Sequence, residues 1–300
     1  MAEEKILTLV DQQQQWLDPL ADQVQKAVSS AYESAGEAGQ QVKNFMHGTW
    51  LGDPLHPTLT DIPIGSWTAA FVMDACEEIT GSRNLQRGAD AAVAVGLAGA
   101  AAAAVTGITD WNDTHRRARR IGLLHGILNL AAAGLYAASM VARRNDNRSA
   151  GRGLAYLGYG ISMGSAYLGG KLVYREQMGV DHTATQQFPA DFTPVLAESE
   201  LPEGQMKRVE VNGARVLLVR DRGELCAIAE VCSHLGGPLA EGELKDGCVT
   251  CPWHKSTFDV HTGEVVNGPA VHPQPKLDVQ VRDGQIEVKA QAGLGPEDRG

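Results

Sequence analysis

The sequence predicts a multidomain chain: an N-terminal α-helical transmembrane four-helix bundle, then a C-terminal all-β domain. Three observations predict this. Four apolar stretches, each about the ~20 residues that cross a bilayer, lie between residues 62 and 173. Beyond residue 192, short β-branched runs alternate with Asn-Gly and Asp-Gly pairs, a strong hairpin signal. The same region holds two Cys/His pairs, Cys232-Ser233-His234 and Cys251-Pro252-Trp253-His254. The expected boundaries are 1–50 for a helical N-terminal segment, 51–175 for the membrane domain, 176–192 for a linker and 193–292 for the β domain.

The N-terminal segment repeats Trp16, Leu20, Val24, Ala27 and Ala31 at helical spacing, which predicts one amphipathic helix. The segment is net acidic, so attraction to anionic lipid is not expected. It is expected to pack on the protein or on a second copy, as a homo-oligomer would allow.

The expected spans are Ile62–Ile79, Gly88–Ile108, Ile121–Ala142 and Gly153–Val173. The second runs from Ala91 to Ile108 without a charge, whereas Asp74 interrupts the first. Abundant Gly and Ala would let these helices pack closely in lipid. The alternative is a soluble Ala-rich bundle, but the charged stripe such helices carry is missing. Four spans put the N-terminal segment, the 109–120 loop and the C-terminal domain on one side. Basic residues nearly balance across the two sides, so they leave orientation open. Free cysteines and the lack of a signal peptide place the β domain in the cytoplasm. An Arg143-Arg144 export signal is the opposing reading, and Asn145-Asp146-Asn147 flanks it poorly.

In the last third, Arg208–Val211 and Arg215–Arg220 flank Asn212-Gly213, and Val279–Val288 spans Asp283-Gly284; each reads as a hairpin. Cys232, His234, Cys251 and His254 supply two thiolates and two imidazoles, with sixteen residues between His234 and Cys251. Such a C-x-H…C-x-x-H set suits a [2Fe–2S] cluster held by two Cys and two His, and Cys₂His₂ also suits structural zinc. Gly236, Gly237, Pro238 and Pro252 fall where the two turns need them. Cys226 and Cys248 read as small hydrophobic strand residues.

The stretches Cys232-Ser-His-Leu-Gly-Gly-Pro-Leu-Ala-Glu-Gly242 and Cys251-Pro-Trp-His-Lys-Ser-Thr-Phe-Asp259, followed by Thr262-Gly263-Glu264, resemble the Rieske family. The resemblance covers about one hundred residues. It implies a small antiparallel β domain with a [2Fe–2S] cluster at one tip, bound by Cys232, His234, Cys251 and His254. It implies that Ser256 donates its hydroxyl to a cluster sulfur. Gly237 and Trp253 stand where the cytochrome bc type has a disulfide, so the chain looks closer to Rieske ferredoxins and oxygenase domains. Phe258 stands where the bc type has a tyrosine donor, which implies a midpoint low in the roughly −150 to +300 mV Rieske range. Lys255 replaces the glycine usual after the second histidine.

The middle region resembles a bacterial four-helix membrane family of unknown function, through Gly52-Asp-Pro-Leu-His-Pro57, Ile62-Pro-Ile-Gly65, Asp110-Trp111 and Gly122-Leu-Leu-His125 to Asn129. That resemblance implies a multi-pass cell-membrane location. His56 and His125 form a speculative second site, because ionisable groups at membrane depth point to function. They could bind a haem or line a quinone or metal pocket; the plainer reading is core histidines bonded to carbonyls. Asp61, Asp74 and Asp110 are expected to partner arginines.

With 26 Lys and Arg against 36 Asp and Glu, the net charge of −10 argues against nucleic-acid binding. There is no nucleotide-binding Gly-rich loop, nucleophile elbow, HExxH motif or mononuclear iron site of the oxygenase type. The expected function is one-electron transfer by a membrane-anchored iron–sulfur protein, as an oxidoreductase component and not a catalyst by itself. A quinone, a haem protein or an oxygenase is the expected redox partner. The alternative is a redox-sensing or structural membrane protein, with a non-shuttling cluster or zinc.

Overall fold

The structure is a computed structural model that describes Thr8 and residues 12–291. The rest of the expected N-terminal segment, and residue 292, lie outside the described residues. Two compact units emerge. One comprises the described residues to Val42 together with Pro54–Gln177; the other comprises Lys43–Asp53 and the described residues from Met178 on.

The first unit is helical, and the described residues hold six helices rather than the four spans plus one helix expected. They are α1 Gln14–Ser34, α2 Gly36–His47, α3 Leu55–Thr80, α4 Arg83–Asn112, α5 Arg116–Arg144 and α6 Arg148–Tyr174. The four expected spans fall inside α3 to α6. The extra element arises because Gly36 takes φ +56, which an L side chain rarely adopts, and this divides the N-terminal segment. Two helices among the described residues, α4 and α5, are long and apolar enough to cross a membrane.

α1 uses a different face from the one expected. Leu17 and Ala21 are fully buried and pack with Val24 against Trp111, Ile121, Leu123 and Leu168, while Trp16 and Leu20 are exposed. The two stripes lie one residue apart, about 100° around the helix, so the docking partner decides between them. Gln25 fixes the docking: its side-chain amide Nε2 donates to the carbonyls of Trp111, Asn112 and Thr114 at 3.0–3.2 Å. Trp111 and Asn112 end α4, where the last carbonyls lack an i+4 amide, and Trp111 O also accepts from Thr114 N at 3.0 Å. Arg120 completes the join with a bidentate ion pair to Asp18, both contacts 2.9 Å.

The hairpins α3–α4 and α5–α6 repeat one another. Sixty-nine residues separate His56 from His125, Trp67 from Tyr136 and Asp74 from Arg143. Sixty-two separate Gly96 from Gly158, Ala103 from Ser165 and Gly107 from Gly169. The contacts repeat at those offsets. Trp67 lies over Gly96 and Tyr136 over Gly158, where a Cβ would come within 2.2 and 3.2 Å of the rings. Equivalent residues also meet each other. Trp67 stacks on Tyr136 at 4.1 Å, and Arg143 pairs with Asp74 through a 2.9 Å contact, both side chains buried. An approximate two-fold axis therefore runs between α3 and α5, which point the same way; parallel repeats of this kind occur in membrane transporters. Asp74 thus has its expected arginine partner, and Arg148 and Asp90 extend the network at 2.9–3.3 Å. A charge buried this deeply is tolerated because its partner is in place.

Apart from Lys43–Asp53, which includes the end of α2, the second unit is all-β and antiparallel, as expected. Its larger sheet has the order β1 (Thr193–Ala197), β10 (Gln285–Ala290), β9 (Lys276–Arg282), β4 (Glu224–Ala229), β3 (Ala214–Asp221), β2 (Met206–Val211). The smaller runs β5 (Glu243–Lys245), β6 (Cys248–Thr250), β7 (Thr257–Asp259), β8 (Val265–Asn267). Both expected hairpins form, with Asn212-Gly213 and Asp283-Gly284 at positive φ in two-residue turns. Arg222-Gly223 and Asp246-Gly247 make two more such turns. β3 is apolar on both faces for a reason: Val216 and Leu218 face one core, while Leu217 and Val219 face a second core shared with Cys232, Cys251 and Phe258. Cys226 lies on β4 and Cys248 on β6. Residues 178–192 are pinned to this unit: Phe188 is buried in its core, and the His182 amide donates to Ser233 O at 3.0 Å.

The Asp18 contact gives a pH dependence. The Arg120 hydrogen bonds hold the Asp18 carboxyl below its ordinary range, with burial opposing and Arg119 adding to the effect. A carboxyl lowered on folding stabilises the fold above the unfolded value of about 3.9, and the contribution is lost as pH falls through the folded value. Asp18→Asn should cost about 0.5–1 kcal/mol at pH 7. The deficit should shrink progressively below about pH 4. Thermal melts of the full chain in detergent at both pH values check this.

Candidate metal centre

The two Cys/His pairs sit on two loops. The first spans residues 230–239, between β4 and β5, and the second is the 251–256 tip of the β6–β7 hairpin. Each loop is closed by its own backbone. Cys232 N donates to Gly237 O at 2.8 Å and Gly236 N to Cys232 O at 2.9 Å, with Gly236 at φ +75. Cys251 N donates to Ser256 O at 2.8 Å and Lys255 N to Cys251 O at 3.2 Å. The two loops thus have matching closures, a cysteine at the start of each and a histidine two or three residues on.

The structure brings all four expected side chains together, in two pairs. The Cys232 and Cys251 thiols are buried and hydrogen-bonded to one another. The His234 and His254 rings lie edge to face with centroids 5.0 Å apart, both half-buried. Backbone N–H groups converge on the sulfurs: those of His234 and Leu235 on Cys232, those of Trp253 and His254 on Cys251. These donors favour thiolate. The thiols titrate as a pair. The hydrogen bond from Cys232 draws Cys251 down to about 7, while the same bond, with burial, pushes Cys232 well up. Cys251 is therefore the member of the pair held closer to thiolate, the form that binds metal.

Gly237 faces this site. A Cβ on it would lie 2.8 Å from Cys251 Sγ and 3.2 Å from the Trp253 ring, so the glycine keeps clear the space beside the sulfur. Among the described residues, no three His, Cys, Asp or Glu side chains converge as one ion requires. Sulfurs paired at a buried end and imidazoles at a half-exposed end fit a two-metal cluster better than one tetrahedral zinc. Ser256 is fully buried, and its Oγ accepts from Ala270 N at 3.0 Å. That contact occupies the oxygen and leaves the hydroxyl proton to donate elsewhere. Phe258 is buried in the same core and brings no hydroxyl. Lys255 takes φ +65, so it adopts the glycine-like backbone that the turn demands.

Comparison with known proteins agrees with this geometry. Residues 191–281 match the family described as Rieske [2Fe-2S] domain, and residues 52–182 the family described as predicted membrane protein (DUF2231). The anthranilate 1,2-dioxygenase ferredoxin subunit of Burkholderia cepacia is 32% identical over 104 residues, which cover 35% of this chain and 96% of that protein. The chain belongs to the Rieske [2Fe–2S] family. Its cofactor is a [2Fe–2S] cluster. Apoptosis-inducing factor 3 of Mus musculus is 37% identical over 91 residues, 30% of this chain; the chain spans only 15% of that protein's length. A solved ferredoxin of carbazole 1,9a-dioxygenase from Nocardioides aromaticivorans IC177 is 31% identical, covering 34% of this chain and 100% of that one, with a TM-score of 0.33.

His56 and His125, the speculative second pair, also come together, within the helical unit. Their ring centroids are 6.5 Å apart at 86°. Each is bonded to a backbone carbonyl through Nδ1, His56 to Ala103 O and His125 to Ser165 O, both at 2.8 Å.

Two substitutions test the Rieske loops. Gly237→Ala should cut cluster content several-fold, read by iron analysis and EPR of the purified protein, because the new methyl competes with the sulfur's surroundings. Lys255→Gly should stabilise the domain by about 1 kcal/mol, since the αL strain of an L residue disappears. Its thermal melt, with cluster content unchanged, is the check.

Proposed function

We propose that Cys232 and Cys251 hold one iron of the cluster, and His234 and His254 the other. The protein is then a membrane-anchored one-electron carrier. The observation that carries this reading is the sorting of the four side chains, thiols joined at the buried end and imidazoles paired toward solvent. When bound, the cluster supplies reversible one-electron chemistry. The chain's own residues set its conditions. Four backbone N–H groups favour negative charge on the sulfurs. The half-exposed imidazoles, beside the exposed Trp253, form the face through which a partner would approach. An oxygenase is the partner we favour, because the Burkholderia relative is named as a dioxygenase ferredoxin subunit.

The membrane part of the proposal is that α3 to α6 all span. Two apolar helices, the match to a predicted membrane family, and the spacing of the axial polar pairs support it. His56 and Asp74 are separated by about 27 Å along α3, close to the ~30 Å hydrocarbon thickness, so each pair would lie near one interface. We place the β domain in the cytoplasm, in keeping with five cysteines of which none is in a disulfide among the described residues. In this reading the N-terminal segment, the membrane domain, the 176–192 connection and the cluster domain follow one another as the sequence suggested.

Purified full-length protein, reduced with dithionite, should give a Rieske-type EPR signal that is lost on reoxidation, returns on renewed reduction, and is absent in Cys251→Ser. Iron-free protein, or a signal indifferent to that substitution, would falsify the ligand assignment. Ser256→Ala should retain the cluster and lower its midpoint. Loss of a charge-assisted hydrogen bond of about 1–2 kcal/mol corresponds to roughly 40–90 mV for one electron. A spectroelectrochemical titration reads that shift.

A further inference from the structure

We infer that His56 and His125 are a second metal-binding site, in which two imidazole Nε2 atoms take one transition-metal centre between them. The inference starts from the internal repeat. The two histidines occupy equivalent positions, and each makes the same contacts. His56 donates Nδ1–H to Ala103 O and lies over Gly107; His125 donates Nδ1–H to Ser165 O and lies over Gly169. Each carbonyl precedes its glycine by four residues, one helical turn. A Cβ at Gly107 or Gly169 would come within 2.7 or 3.1 Å of the imidazole, so both glycines admit a ring at that depth.

These contacts dictate the chemistry. With Nδ1 donating to a carbonyl, a neutral imidazole keeps its lone pair on Nε2. Two such rings have only acceptors left to offer and cannot hydrogen-bond to each other there. Elsewhere on the axis the repeats have diverged to complementary partners, tryptophan on tyrosine and aspartate with arginine. At this position both copies are histidine. A metal centre satisfies both lone pairs at once. Carbonyl-anchored Nδ1–H is also the usual outer contact of a ligating histidine. The 6.5 Å between ring centroids matches roughly 6 Å for two imidazoles sharing one metal, each bonded at ~2.0–2.1 Å. At present Asn129 Nδ2 donates to His125 Nε2 at 3.0 Å and Ser165 Oγ lies 2.9 Å from Nδ1. The metal would displace the Asn129 contact and leave the Ser165 contacts intact.

The metal has two possible sources with this one chemistry: a bare ion of the copper or zinc type, or haem iron. Full-length protein in detergent, purified and then titrated separately with haemin, Cu(I) and Zn(II), distinguishes them. The expected result is one equivalent of either haem, seen as a Soret band with two-imidazole character, or one of the ions. His56→Ala and His125→Ala should each weaken binding at least tenfold. Asn129→Ala should bind as well or better, since only the competing donor is gone. The [2Fe–2S] EPR signal should persist in all three variants, which separates this site from the Rieske centre and reports an intact protein. X-ray absorption at the bound metal's edge, on unaltered protein, should show imidazole nitrogen ligands. No binding of any of the three probes, binding unaffected by either histidine substitution, or an edge spectrum without imidazole would overturn the inference.

Discussion

Two loops from different strands must present their sulfurs to one another and their imidazoles to one another. Everything else in the β unit serves that requirement. Each loop is short and closed on itself by backbone hydrogen bonds, so each cysteine's position follows from its strand. Burial then works in two ways. It packs Cys232 and Cys251 into the core with Val249, Leu239 and Phe258, and it raises the cost of leaving a sulfur charge unmet. The converging N–H groups meet that cost. A scaffold with loops free to move would lose both effects together.

The helical unit answers a different constraint. Its residues meet copies of themselves across an axis, so each axial position is used twice. Stacked aromatics hold the middle, and a buried ion pair holds one end. Breaking that pair by removing one partner would leave an uncompensated charge, a cost of about 3–5 kcal/mol. The repeat also explains the glycines opposite the large axial side chains. Gly96 and Gly158 exist to admit Trp67 and Tyr136, and Gly107 and Gly169 to admit the two rings.

Much of this was legible in the chain. Ligand types, their spacing and the flanking glycines and prolines pointed to the Rieske loops, because metal ligands in tight turns are local features. Asn212-Gly213 and Asp283-Gly284 announced hairpins for the same reason. Other features stayed hidden. The face of α1 that docks lay one residue from the stripe that looked apolar, and the docking partner, not the periodicity, chose between them. Gly36 breaks the helix through its positive φ, a backbone choice that side-chain periodicity does not encode. The repeat left a trace, His-x₁₀-aromatic-x₆-charge twice over, but its residues have diverged too far for identity alone to reveal it.

By itself, then, the sequence determined the Rieske family through its two Cys/His loops, where strands turn back, and which stretches are the most apolar. These depend on residue type and on neighbours a few positions away. Only the tertiary structure decided that thiols pair with thiols, that Ser256 has its oxygen occupied by Ala270, and that His56 meets His125. Those outcomes depend on contacts between residues tens of positions apart, whose geometry is set by the packing of whole elements.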